Sequence, residues 1–235
     1  MTRIRLLSPV SLLVLISLAG CGGGDKATQP VVPPSDGLPA GTPAADSPLH
    51  LAARLEATWE NKVEAQYAPL LSDDFRYHFS LASDPLLVNQ YPNWNRTDEI
   101  AALTHLFHGF TNTGGTAVPA ASRIDMTLSG VLVGNDPDHS DSTAQYQKIV
   151  VTSLDMQVEV PGYPDPISYQ ISSRHELYLV RGDAAVLPSG AEANSTRWYV
   201  RRWEDLSTGP AARKGPVINP ANVKTLGSIK AQYRS

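Results

Sequence analysis

From Arg123 to Asp205 the sequence alternates apolar and polar residues, and no helical pattern interrupts the alternation. Ile124, Met126 and Leu128 alternate with Arg123, Asp125 and Thr127. The polar turn GNDPDHSDS leads into a β-rich run from Ala144 to Val160, and PGYPDP turns the chain into ISYQISSRHELYLVR. After a loop rich in Gly, Ala and Asn comes TRWYVRRWEDL. A period of two sends successive side chains to opposite faces of a strand. Strands that follow one another through turns alone have no room for the crossovers that parallel pairing needs, so antiparallel hairpins are expected. Such a sheet must bury one face, and the residues before Arg123 have to supply the cover.

That cover reads as helical. Ser47-Pro48 combines a favoured N-cap with a favoured first helical residue. Leu49, Ala52, Leu55, Trp59, Val63 and Tyr67 then recur at three- and four-residue steps, an apolar stripe on one helix that Pro69 limits. In DDFRYHFS, Phe75, Tyr77 and Phe79 alternate with Arg76, His78 and Ser80, a short strand. Residues 84–96 read as loop or a short helical turn. Thr97-Asp98-Glu99 opens a second helix with acids in its first turn, where the helix dipole favours them. Ile100, Leu103, Leu106, Phe107 and Phe110 form its core face, and Gly109 or Gly114-Gly115 ends it. Helices followed by a run of strands predict an α+β domain over residues 48–206, with the helices on one face of the sheet. Residues 207–235 form a tail whose last segment, KTLGSIKAQYRS, is read as either a short helix or a strap.

The order helix, short strand, helix, long antiparallel sheet resembles the cone-shaped fold of the nuclear transport factor two-like superfamily, which includes SnoaL-like proteins and ketosteroid isomerases. YAPLLSDDFRYHF and RWYVRRWEDL carry the resemblance, chiefly as aromatic packing. It implies a curved antiparallel sheet wrapped on the N-terminal helices with a cavity at its wide end. It also implies a homodimer through the outer face of the sheet, where Trp198 or Trp203 is expected. No catalytic motif of the superfamily aligns, so no catalytic residue is carried over.

The N-terminus gives an address. Arg3 and Arg5 precede an apolar run, Leu6 to Leu18, that is short for a membrane span. Leu18-Ala19-Gly20-Cys21 resembles the lipobox of bacterial lipoproteins. That resemblance implies a signal peptide over residues 1–20, cleavage before Cys21, diacylation of its thiol and acylation of the new amine. Several acyl chains anchor stably where one does not. Gly22, in place of an aspartate, implies the outer membrane, with the protein facing the periplasm or the cell surface. Cys21 is the only cysteine, so no disulfide can form within the chain. Residues 21–47, rich in Gly, Pro, Ala, Thr and Ser, read as the lipidated cysteine and a disordered tether.

The full chain of 235 residues carries a net charge of −4, and loss of Arg3 and Arg5 makes it more acidic. An acidic domain without a basic stripe does not suit nucleic acid. P-loop, GxGxxG, G-x-S-x-G and HExxH motifs are absent. In ISYQISSRHELYLVR, Tyr169, Ile171, Ser173, His175, Leu177 and Leu179 share the more apolar face, so His175 is the candidate for an acid–base group. Trp59, Tyr67, Tyr77, Tyr91 and Trp94, with Tyr169 and His175, are the candidate cavity lining for a small apolar ligand. His105 and His108 are read as solvated helix surface, Asp136, Asp138 and Asp141 as turn chemistry, and RGD at 181–183 as chance. Arg201, Arg202, Glu204 and Asp205, with Arg174 and Glu176, are read as ion pairs across strands. No metal and no cofactor are expected. The expected role is binding of a small apolar ligand or a partner protein without catalysis. The alternatives are an isomerase or dehydratase using a His/Tyr/Asp set, and a structural assembly component.

Overall fold

A computed structural model describes residues 36–162, 164–182, 194–208 and 223–234. Helix α1 spans Pro48–Glu60, and Ser47 Oγ caps it by accepting from His50 N at 3.2 Å. The stripe does not continue as one helix. Asn61 closes α1, Lys62 takes a left-handed backbone at φ 53°, and a second short helix, α2, runs over Glu64–Tyr67. Leu51, Ala52, Leu55, Thr58 and Trp59 are the buried face of α1. Leu49 falls off that face and is 52% exposed.

Strand β1 (Leu71–His78) follows, then α3 (Pro85–Gln90) and α4 (Arg96–His108). The N-cap of α4 is Asn95, two residues ahead of the expected start at Thr97-Asp98-Glu99, and it forms a capping box with Asp98. A small hairpin of β2 (Phe110–Thr111) and β3 (Ala117–Val118) leads into β4 (Arg123–Asn135), β5 (Tyr146–Val160), β6 (Ile167–Arg181) and β7 (Trp198–Asp205). Helix α5 (Leu226–Gln232) ends the described chain. Thus the terminal segment takes the helical form of the two expected.

The main sheet has the order β1-β7-β6-β5-β4. The last four strands pair antiparallel, as expected, and β1 joins β7 in parallel. The fold is α+β, a curved, mostly antiparallel sheet packed on the helices. Its register shifts between Val151 and Leu154, where β5 carries one residue more than β6, and again between Tyr178 and Leu179, where Arg201 is the extra residue of β7. Such bulges bend and twist a strand. The second one also resets the phase of β7. Trp198 and Val200 face inward before it, and Trp203 and Asp205 face inward after it, although strict alternation would split them. Trp198 and Trp203 are therefore core residues, not part of the outer face on which one of them was expected.

The folded unit reaches beyond 48–206 in both directions. Asp36 pairs with Arg54 at 2.7 Å, Leu38 is buried, and the Ala45 carbonyl accepts from Trp198 N at 2.8 Å. Residues 36–47, expected in the tether, lie against the fold, and α5 is packed into the core. Cys21, the signal peptide and the start of the tether fall outside the described residues.

Gly109 ends α4 at φ 74°, ψ 168°, a backbone region open essentially to glycine. A Cβ there would stand 2.9 Å from the Val118 carbonyl oxygen and the Ala120 nitrogen. Gly109→Ala should cost about 1–3 kcal/mol of stability, read as a lower urea midpoint with an unchanged slope.

Candidate functional site

The interior between α4, α5 and the sheet is polar at its centre. On α4, Glu99 shares a face with Ala102, Leu103 and Leu106 and is 1% exposed. Helix α5 presents Leu226 and Ile229 inward, with Tyr233 just past its end, and Lys230 shares that face at 3% exposure. The Lys230 ammonium lies 2.7 Å from Glu99 Oε1. Tyr67 Oη donates to the same oxygen at 2.6 Å, and Trp94 Nε1 donates to Oε2 at 2.9 Å. Lys230 Nζ stands 3.7 Å from the Tyr77 ring centroid, 4.4 Å from Trp203 and 6.0 Å from Trp59. Aromatic faces at these distances attract a cation. Burial pushes the Lys230 ammonium below its ordinary pKa, and the Glu99 carboxylate opposes that shift.

Beside this pair lies a second polar group. Trp203 Nε1 donates to His175 Nδ1 at 3.0 Å, and His175 Nε2 meets Ser173 Oγ at 2.7 Å. Indole N–H is only a donor, so Nδ1 accepts and the neutral ring carries its proton on Nε2. Burial pulls the His175 pKa down to about 4; Asp205 opposes the shift and Lys230 adds to it. Asp205 accepts from Tyr77 Oη at 3.2 Å, from Ser207 N at 3.0 Å and from Gly227 N, in the first turn of α5, at 3.4 Å. Tyr67 and Tyr77 are both held protonated, chiefly by burial.

Of the expected lining residues, Trp59, Tyr67, Tyr77, Trp94 and His175 come together, and all are buried. Their rings pack edge to face or tilted: Trp59 on Tyr67 at 5.9 Å, Tyr77 on Trp203 at 6.2 Å and on Trp94 at 6.5 Å. Tyr91 and Tyr169 lie farther out and are half-buried. Tyr91 packs on Phe79 and Trp94 and under the Arg234 guanidinium, while Tyr169 lies beneath Lys224. The space enclosed by Trp59, Glu99, Leu106, Ile229, Lys230 and Tyr233 admits no water molecule. In this conformation α5 and the Lys230 side chain stand where a ligand was expected.

Glu99, Asp205, Trp203 and Lys230 were not anticipated at the centre. Glu99 reads as a first-turn acid serving the helix dipole, and Asp205 as a surface partner of arginines. Helical spacing was the available signal: Glu99 lies three, four and seven residues before Ala102, Leu103 and Leu106, and Lys230 lies four after Leu226. The surface ion pairs that do form are Arg174 and Lys148 with Glu176, and Arg202 with Glu204 and Asp138. His105 stacks on Phe110 and donates to the Tyr233 carbonyl, whereas His108 faces Glu64. Asp136 caps the turn at 137–142 and pairs with His139 and Arg201. Among the described residues no three His, Cys, Asp or Glu groups are placed to share a metal ion.

No family model matches the sequence, and neither does any curated protein. Solved structures show similarity in arrangement. One is a scytalone dehydratase-like protein from Novosphingobium aromaticivorans, with a TM-score of 0.43 and 8% identity over 71% of this chain and 92% of that one. Another is an NTF2-like protein of unknown function in nutrient uptake from Rhodospirillum rubrum, at 0.39 and 9% over 68% and 96%. A third is a protein of unknown function from Mycobacterium tuberculosis, at 0.41 and 11% over 79% and 83%. At these values the likeness lends nothing to the reading of the site.

Two outcomes follow from the buried charges. Glu99→Gln leaves Lys230 without its counter-charge and should cost about 3–5 kcal/mol, whereas Glu99→Gln with Lys230→Met should recover most of the loss; urea denaturation reads both. His175 is neutral in the fold and protonates near its ordinary value of 6.5 when unfolded. Its contribution is complete above pH 6.5 and is lost as pH falls toward about 4. The fall in stability between those pH values should be shallower in His175→Gln than in the unaltered chain, measured by denaturation at each pH.

Proposed function

We propose that this chain is a lipoprotein of the bacterial cell envelope, held at the outer membrane through Cys21, and that its domain works by binding and not by catalysis. The observation that carries the second half is the engagement of the interior acid–base groups. His175 is bonded through both ring nitrogens, and Glu99 and Asp205 accept hydrogen bonds from residues of the same chain. A general base must reach the proton it takes, and in this fold both His175 nitrogens and both carboxylates are turned to residues of the same chain. The lipobox supports the first half, as does the run of small and proline-rich residues that separates Cys21 from the folded unit.

One observation favours the alternative of an isomerase or dehydratase: Tyr77, His175 and Asp205 meet around one point, the residue types that proton transfer uses. That reading requires α5 to leave the interior first, as binding of a ligand in the interior does. A structural assembly role has less support, since the large exposed apolar side chains, such as Leu49, Leu81, Leu86 and Leu132, are spread over α1, α3 with the turn before it, and β4.

Cys21→Ser should move the protein from the membrane to the soluble fraction and abolish its labelling by a fatty-acid analogue. Retention on membranes in the unlabelled variant overturns the anchor.

A further inference from the structure

A lysine ammonium in a protein interior is an expensive choice, because taking the ion from water costs several kcal/mol even after relaxation. Helix α5 places one there, and the receiving surface is complementary to it in three ways. Tyr77 and Trp203 present their rings at 3.7 and 4.4 Å, and Trp59 closes a third side at 6.0 Å. The Glu99 carboxylate stands 2.7 Å from the nitrogen. Tyr67 and Trp94 fix that carboxylate through hydrogen bonds of their own. All of these residues except Lys230 belong to α1, α2, β1, α4, β7 and the segment before α4, so the receptor is built without α5. Carboxylate and aromatic faces around one point form an aromatic cage for a cation.

The geometry points to an ammonium-binding site formed by Glu99, Tyr77, Trp203 and Trp59, for which Lys230 is the chain's own occupant. The ligand class is a primary alkylammonium: its charge pairs with the Glu99 carboxylate, and the alkyl stem takes the path of the lysine methylenes. Docking of α5 closes the site, and a ligand amine takes the place of Lys230 when α5 withdraws. Besides the Lys230–Glu99 pair, α5 has fastenings outside the four cage residues, one of them on Asp205, which also accepts from Tyr77. Thr225 Oγ1 donates to Asp84, Gly227 N to Asp205, and Arg234 makes two contacts with Asp98 at 2.8 and 3.0 Å. This inference rests on the binding reading above and gives it a ligand chemistry.

Lys230→Ala in the full chain removes the side chain beyond Cβ, a fragment whose free equivalent is the n-propylammonium ion. Thermal unfolding followed by circular dichroism is measured with n-propylammonium chloride, 1-propanol and sodium chloride. The expected result is a saturable gain in folded protein with the amine, with an apparent affinity about tenfold or more above that of 1-propanol, the counterpart of the cation–π attraction in a desolvated site. The readout holds whether the variant folds alone, when it is a rise in midpoint, or only with the amine, when it is a rescue. Adding Glu99→Gln should erase the preference for the amine. A second variant, Gly227→Val, sets a Cβ 2.7 Å from the Phe79 ring, so that α5 and this ring must move apart, and leaves the four cage residues unsubstituted. In it, n-propylammonium should perturb tryptophan fluorescence saturably, as it should not in the unaltered chain. Equal stabilisation by amine and alcohol overturns the cation assignment and leaves an apolar binding site. No amine-specific gain in either variant overturns the site altogether, while the anchoring of Cys21 is tested separately.

Discussion

A lysine ammonium and a glutamate carboxylate, both withdrawn from water, hold the end of the chain inside the fold. Neither group is tolerable there alone. Glu99 is made acceptable by Tyr67, Trp94 and Lys230, and Lys230 by Glu99 and the faces of Tyr77 and Trp203. The pair couples α4 to α5 and both to the sheet, since Trp203 also donates to His175 and Tyr77 also donates to Asp205. Deleting one partner leaves an uncompensated buried charge, and that asymmetry makes the arrangement specific even if its net stabilisation is small.

The strands that receive this pair depend on defects in their regularity. Gly130 on β4 lies opposite Thr152 at the place where β5 gains its extra residue, and a Cβ at 130 would collide with the Thr152 hydroxyl. The bulge at Arg201 turns Trp203 and Asp205 inward together. Without it, the indole that faces Lys230 and the carboxylate that accepts from the first turn of α5 would point to opposite sides of the sheet from Trp198 and Val200. Curvature and site are thus consequences of the same local insertions.

Much of the architecture was legible in the sequence because it rests on periodicity. The cap at Ser47, the end of α4 at Gly109 and the inward face of Ile171, His175, Leu177 and Leu179 follow from local rules, and each is present. The centre of the site was not legible for the same reason. Glu99, Asp205 and Lys230 are charged, and local rules assign charged residues to helix ends and strand surfaces. Their burial is decided by partners far apart in the chain, 131 residues apart for Lys230 and Glu99. Trp203 escaped because a bulge, unlike a turn, leaves no compositional mark at Arg201. Trp59, Tyr67, Tyr77 and Trp94 do lie together in the interior, with Tyr91 and Tyr169 farther out, and the rings of Trp59 and Tyr77 face an occupant supplied by the tail.

Everything above depends on the Lys230 ammonium sitting among aromatic rings inside the folded chain. Side-chain NMR of the intact protein, with Lys230 assigned through loss of its signals in Lys230→Met, tests it most directly. The account predicts Cε protons shifted strongly upfield by the rings of Tyr77 and Trp203 and ammonium protons protected from rapid exchange with water. Chemical shifts and exchange matching those of a fully solvated lysine side chain would contradict it.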